Sequence, residues 1–109
     1  AFAAAGHRVD GVDLAEGDLA AAGVAARLVA ESGPERVIHC AAYTAVDRAE
    51  AEPAAAEAGN AGATAQLAAA CQRHGAALTL VSTDYVFAGD RPDRLQVFRM
   101  QVGQFEEPP

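Results

Sequence analysis

The sequence predicts an α/β fold with a parallel, doubly wound sheet. Two short apolar runs, residues 36–40 and 77–82, look like buried strands, and helical sequence lies between them. Each run leads directly into small or hydroxyl residues, as strands do when they deliver a site to the carboxyl edge of a sheet. Because strands alternate with helices, parallel pairing and right-handed crossovers follow. We therefore expect a three-layer αβα arrangement with a crevice where these strands end.

The first third of the chain contains a helix end, a strand and a helix. Residues 1–6 resemble the last turn of a helix that is closed by glycine, and residues 7–13 alternate like a short strand. Apolar residues at helical spacing from about Leu19 to Ser32 predict an amphipathic helix, which Gly33 and Pro34 end.

Two further helical segments follow the strand at 36–40. Residues 45–52 are charged and helical until Pro53 interrupts them. Residues 54–74 predict a long helix that packs on the sheet, and Gly75 closes it. The packing stripe has spacings of three and four residues and consists of Asn60, Ala63, Leu67 and Cys71.

Asn60 is the polar member of this stripe. A buried amide without a partner costs about 1–3 kcal/mol. We therefore expect Asn60 to bind the backbone of a neighbouring strand rather than a ligand.

Composition excludes several classes of function. The 8 basic and 15 acidic residues give a formal net charge of −7, which disfavours nucleic acid or an anionic membrane as a partner. Apolar stretches stay below the roughly 18 residues that a membrane span requires, and no leader pattern opens the chain. We expect a soluble, cytoplasmic protein in which Cys40 and Cys71 are buried free thiols. The spacing of His7, His39 and His74 predicts no metal site.

Acidic residues near the first predicted strand have two interpretations. Asp13 ends that strand, where a carboxylate in Rossmann-type folds accepts hydrogen bonds from the adenosine ribose. On these residues alone, an exposed aspartate in a turn is the favoured interpretation. Asp18 either begins a helix as its N-cap or lies against the adenine.

The residues after the two central strands are also open to two interpretations. Ala41 and Ala42 allow close approach of a ligand, with Tyr43 and Thr44 beyond them, or they form a simple strand-to-loop turn. The polar cluster at 82–85 either polarises a substrate carbonyl or stabilises a turn.

Together these residues resemble a known enzyme family. The run VIHCAAYTAVDRAEAEP at 37–53, Asn60, and STDYVFAG at 82–89 resemble dTDP-4-dehydrorhamnose reductases of the extended short-chain dehydrogenase/reductase group. The resemblance covers about residues 1–90, and it implies a Rossmann-like dinucleotide domain. It also implies reduction of a 4-keto dTDP-sugar to dTDP-L-rhamnose by NADPH or NADH, and a homodimer for the full-length protein.

The resemblance assigns roles position by position. Asp13 matches the ribose-binding acid, and Asp18 with Leu19 matches the pair beside the adenine. The segment that passes the pyrophosphate and nicotinamide matches Ala42, Tyr43 and Thr44.

The resemblance also assigns catalytic and substrate-binding roles to residues after the second central strand. Thr83 matches the hydroxyl of the Thr-Tyr-Lys catalytic set, and Thr83 with Asp84 matches the substrate-contacting pair.

Departures from the family pattern matter as much. The glycine fingerprint of a first strand is absent, no Tyr-x-x-x-Lys follows Thr83, and neither Tyr43 nor Tyr85 is placed to substitute. We expect residues 1–90 to be a partial NAD(P)-binding domain that lacks the first strand and the C-terminal substrate-binding part. Residues 91–109 are expected to be an irregular tail. Such a chain alone should have little or no reductase activity.

The alternatives are a non-catalytic nucleotide-binding or regulatory subunit, and a related sugar-nucleotide epimerase or dehydratase.

Overall fold

The computed structural model describes residues 1–83. Ala3–Ala5 form a 3₁₀ turn, and four α-helices follow, α1 (Val24–Ser32), α2 (Val46–Ala51), α3 (Pro53–Glu57) and α4 (Ala63–His74). A π-helical turn, Ala58–Gly62, joins α3 to α4, and the strands are β1 (Arg36–His39) and β2 (Ala77–Leu80). No helix in this range is both long enough and apolar enough to cross a membrane.

The two strands pair in parallel, as predicted. Their register runs from Arg36 opposite Ala77 to His39 opposite Leu80. β1 leads through α2, α3 and α4 to β2, so the predicted strand–helix–strand unit is confirmed.

The core lies on one side of this sheet, where α1 packs on α4 and α4 on β2. Small side chains dominate it because the helices approach closely. Its buried members are Ala25, Val29, Leu67, Ala70, Cys71 and Ala76, with Leu19, Val37 and Leu78 packed against them. The predicted burial of Ala63, Leu67 and Cys71 is confirmed. On the other side of the sheet Ile38 and Val81 remain exposed.

Glycines in the left-handed conformation end several of these elements. Gly75 adopts a φ of +69° at the end of α4, as the sequence predicts, and Gly6 adopts +87° after the first turn. α1 starts later than predicted, because residues 18–22 form turns and Gly23 has a φ of +80°.

The predicted strand at residues 7–13 is wrong for this structure. These residues are exposed and carry no strand hydrogen bonds, and the sheet within residues 1–83 contains β1 and β2 alone. A strand needs a hydrogen-bonding neighbour, and this segment has none in the described part of the chain.

Two predictions of burial are also wrong. Cys40 is exposed because β1 ends at His39 and side-chain alternation gives the core face to His39. Asn60 is exposed because it lies in the π-helical turn and faces the loop after β1 rather than the core. Cys71 is buried as predicted, and burial raises the pKa of its thiol.

Candidate functional site

The carboxyl ends of β1 and β2 lie side by side. The Val81 N–H donates to the carbonyl oxygen of His39 at 3.0 Å, which continues the pairing just past β2. The segments that follow the strands therefore leave the sheet at one edge. The first contains Ala42 and Thr44, both exposed, and the second contains Thr83, which is exposed as well. Asp84 lies outside the described residues.

The loop after β1, residues 41–44, is held through the backbone of Tyr43. Its N–H donates to Asn60 Oδ1 at 2.8 Å, and its carbonyl accepts from Asn60 Nδ2 at 3.4 Å. A Cβ added to Gly59 would lie 3.3 Å from Tyr43 Cβ, so the π-helical turn packs closely on the loop. Asn60 thus binds backbone, as predicted, but the backbone is that of the loop after β1 and not of the strand itself.

The Tyr43 side chain is held separately, by α2 and the residue after it. Its hydroxyl donates to Glu52 Oε2 at 2.7 Å. Arg48 Nη2 donates to both carboxylate oxygens of Glu52, at 2.9 and 3.1 Å. The hydrogen bond to Glu52, then burial and the negative charge of Glu52, raise the pKa of Tyr43, while Arg48 opposes this. Hydrogen bonds from Tyr43 and Arg48 lower the pKa of Glu52.

These bonds define what Tyr43 can do chemically. A phenol that already donates to a carboxylate and has a raised pKa is a poor proton donor at neutral pH. Tyr43 therefore does not have the properties of a catalytic acid. This agrees with the sequence, in which Tyr43 precedes Thr83 and is not part of a Tyr-x-x-x-Lys motif.

The second predicted cofactor segment, residues 13–19, forms a turn of its own. The Asp13 N–H donates to Glu16 Oε2 at 2.7 Å, and Asp13 Oδ1 accepts from the Leu14 N–H at 2.7 Å. The other oxygen of this exposed carboxylate, Oδ2, has no hydrogen bond within residues 1–83. Asp13 thus combines a turn-forming role with a free acceptor.

Asp18 and Leu19 connect this turn to the core. Asp18 Oδ1 accepts from the Ala20 N–H at 2.9 Å, as in an Asx turn. The predicted N-cap role of Asp18 is wrong, because α1 begins at Val24 and Gly23 is its N-cap. Leu19 packs against the core, and Gln66 Nε2 donates to the carbonyl of Ala20 at 3.4 Å. No hydrogen bond or ion pair within residues 1–83 joins this turn to the loop at 41–44.

His39 ends β1 on the core face. It is 3% exposed, its Nε2 has no hydrogen-bond partner among residues 1–83, and burial lowers its pKa. The imidazole is therefore neutral at pH 7 and acts as a packing side chain. In the same residue range no three His, Cys, Asp or Glu side chains form a group that could hold a metal ion.

The predictions from sequence missed Arg48, Glu52 and Gly59 around Tyr43. The i, i+4 spacing of Arg48 and Glu52 was a signal for an ion pair on α2. Nothing in the linear sequence indicated that the Tyr43 hydroxyl would join this pair.

Comparison with known proteins supports the family resemblance. The family model described as the RmlD substrate binding domain matches residues 1–100. A dTDP-4-dehydrorhamnose reductase of Streptomyces griseus is 54% identical over 68 residues, which are 61% of this chain and 22% of that protein. The corresponding enzyme of Mycolicibacterium smegmatis is 44% identical over 96 residues, which are 87% of this chain and 29% of the relative.

A solved structure agrees with these relatives. The dTDP-4-dehydrorhamnose reductase of Bacillus anthracis, in complex with NADP, matches with a TM-score of 0.70 and 44% identity over 74% of this chain and 29% of that one. The chain thus spans less than a third of the length of these relatives. With a family model that matches nearly all of its residues, the chain belongs to the RmlD substrate binding domain family.

Proposed function

We propose that this chain supplies the dinucleotide side of a dTDP-4-dehydrorhamnose reductase. The reaction is reduction of the 4-keto group of dTDP-4-dehydro-6-deoxy-L-mannose by NADPH or NADH, giving dTDP-L-rhamnose. The observation that carries this proposal is the shared edge of β1 and β2, from which the loop at 41–44 and Thr83 emerge together. The similarity to a reductase in complex with NADP supports NADPH as the cofactor.

The described residues have the chemistry that a dinucleotide requires. Ala41 and Ala42 are exposed at the sheet edge and carry only methyl side chains, so a ligand can approach the backbone closely. Asp13 offers a carboxylate oxygen that is not used in its turn, which suits a ribose hydroxyl. A carboxylate also repels a 2′-phosphate, so Asp13 reduces any preference for NADPH over NADH.

Each residue has a defined role in this proposal. Asp13, Asp18 and Leu19 hold the adenosine end, and Ala42, Tyr43 and Thr44 pass the pyrophosphate and nicotinamide. The bound nicotinamide supplies the hydride. Thr83 donates a hydrogen bond to the substrate oxygen and Asp84 binds the sugar, while the Tyr-Lys pair that supplies the proton in this family has no counterpart in the sequence.

Several finer features belong to the same proposal. Residues 1–90 form part of an αβα domain in which a further helical layer covers the exposed side of the sheet at Ile38 and Val81. Residues 91–109, which we expect to be an irregular tail, lie outside the described residues. The full-length protein is a cytoplasmic homodimer.

Residue-specific binding tests the proposal. Titration of the isotope-labelled chain with NADPH, followed by NMR, should shift the amide signals of Asp13, Leu19, Ala42 and Thr83, and NADH should do the same. Binding should be weak without a glycine fingerprint. Signals that stay unchanged at saturating NADPH, or that move only elsewhere, would overturn the proposal.

Turnover is a separate measurement. The purified chain with NADPH and the 4-keto dTDP-sugar should consume the cofactor far more slowly than a complete reductase, because the proton-donating Tyr-Lys pair is missing. Turnover close to that of a complete reductase would contradict this expectation.

A further inference from the structure

Glu52 links the Tyr43 side chain to α2. The carboxylate lies directly after α2, where Arg48 contacts both of its oxygens, and it accepts the Tyr43 hydroxyl at 2.7 Å. The loop residue and the end of the helix are thus connected through three side chains. Sequence reasoning assigned no role to Glu52 or Arg48.

Two side chains hold the loop, one through the backbone of Tyr43 and the other through its hydroxyl. Asn60 fixes the Tyr43 backbone, and Glu52 fixes the direction of the Tyr43 ring. Without the bond to Glu52 the ring would keep its attachment to the backbone but could adopt other rotamers. Because Ala42 and Thr44 flank Tyr43, the direction of this ring affects the space in front of both residues.

The charges are arranged so that an anionic ligand is tolerated. A bare carboxylate close to a pyrophosphate would repel it. The Arg48 guanidinium neutralises the Glu52 carboxylate, and the Tyr43 hydroxyl donates to the same group. Among residues 1–83, Glu52 and Arg48 are the charged groups that act on the Tyr43 phenol.

We propose that Glu52, oriented by Arg48, is a positioning residue for the dinucleotide, acting through the Tyr43 hydroxyl on the loop at 41–44. This inference depends on the proposed function and adds a residue to it. Glu52 does not contact the cofactor in this proposal. It sets the conformation of the residues that do.

Four variants test the inference by titration with NADPH. E52A removes the carboxylate that accepts the Tyr43 hydroxyl, Y43F removes the hydroxyl, and the double variant tests whether the two act together. E50A is the matched control, because Glu50 is an exposed carboxylate on α2 without a hydrogen bond within residues 1–83. We expect E52A and Y43F each to weaken NADPH binding about twofold to fivefold, as for exposed charged pairs, and E50A to leave it unchanged. The double variant should be no weaker than Y43F.

A spectroscopic measurement follows the same bond without cofactor. Tyr43 and Tyr85 are the tyrosines of the chain, so in a Y85F background the ultraviolet titration reports Tyr43 alone. E52A should move ionisation of Tyr43 to lower pH, and E50A should not. Circular dichroism shows whether each variant is folded, so a changed Tyr43 ionisation in folded E52A reports loss of the bond to Glu52.

Each outcome decides between the proposals. Equal NADPH affinity of E52A, E50A and the unsubstituted chain would overturn the positioning role and leave the proposed function standing. A further loss when E52A is added to Y43F would show that Glu52 does not act through the hydroxyl, and would also overturn it. Failure of the unsubstituted chain to bind NADPH would overturn the proposed function and this inference together.

Discussion

The two segments that we assign to the dinucleotide are held in different ways. In the turn at 13–19 the side chains of Asp13, Glu16 and Asp18 bond to backbone groups one to three residues away. The loop at 41–44 is held by Glu52 and Asn60, 9 and 17 residues further along the chain. Two bonds from further along the chain add to the turn, from Arg27 Nη2 to the Glu16 carbonyl at 2.7 Å and from Gln66 Nε2 to the Ala20 carbonyl just after it. The turn thus combines local and distant contacts, whereas the loop takes its conformation only when α2 and the π-helical turn are in place.

Local bonds and distant contacts form under different conditions. Local hydrogen bonds close small rings at little entropic cost, so they form in many states of the chain. Contacts between distant residues require the tertiary fold and report on it. The loop at 41–44 should lose its order together with the core, and the turn should retain part of its own.

Truncation of a core side chain should have the largest effect on the stability of the fold and on the order of the loop. Leu67→Ala removes a buried side chain of α4 from the core cluster against which Leu19 packs. We expect a loss of about 2–5 kcal/mol in the free energy of unfolding, measured by urea denaturation. Amide exchange should speed up more in the loop than in the turn. Gln72→Ala, at an exposed position of α4, is the control, and equal denaturation midpoints for the two variants would contradict the prediction.

Removal of the backbone clamp should affect the loop alone. Asn60→Ala deletes both bonds to Tyr43 and should lower stability by about 0.5–1.5 kcal/mol, with faster hydrogen exchange at the Tyr43 amide. Asn60→Asp keeps the acceptor of the 2.8 Å bond and should retain more protection. Exchange that increases equally in the turn at 13–19 would show that the segments are not independent.

Acidification should lower the free energy of unfolding, because His39 is buried at the end of β1. Burial lowers the pKa of His39, so the folded state binds this proton less readily than the unfolded state. Stability should be at its plateau above about pH 6.5, and it should fall as the pH drops from there through the pKa of the folded protein. Urea midpoints measured across this range check the prediction. His39→Gln should flatten the dependence, whereas His74→Gln, at an exposed position, should preserve it.

The smallest effect is expected in the turn itself. Asp18→Ala removes the 2.9 Å bond to the Ala20 N–H and should cost less than about 1 kcal/mol. Amide exchange of Ala20 should increase while that of Tyr43 stays unchanged. Asp18→Asn keeps an acceptor and should behave like the unsubstituted chain. A change at Tyr43 would mean that the two segments communicate.

The sequence predicted those parts of the fold that depend on local pattern. Gly75 indicated the end of α4, and the spacing of Leu67 and Cys71 indicated its buried face. The alternating residues 7–13 had the pattern of a strand, but pattern cannot provide the hydrogen-bonding neighbour that a strand needs. Periodicity also placed Asn60 in the core, because it carries no information about a π-helical turn.

The site was predictable to a similar degree. The positions of Ala42 and Thr83 after two parallel strands predict that they lie at one sheet edge, as they do. The network around Tyr43 was not predictable, because Glu52 approaches it only after α2 has folded back, and Asn60 only after α2 and α3 have done so. The binding roles of Asp13, Asp18 and Leu19 stay predictions.

The π-helical turn has a consequence for how this part of the chain can vary in length. A π-helical turn holds one residue more than the α-helical turn that it replaces, because its hydrogen bonds join residues five rather than four apart. Deletion of one residue within Ala58–Gly62 would therefore be absorbed by a return to α-helical hydrogen bonding, with the faces of α3 and α4 kept. The wider turn that brings Gly59 and Asn60 against Tyr43 would be lost with it. A chain shortened by one residue here should thus keep its core and lose its hold on the loop.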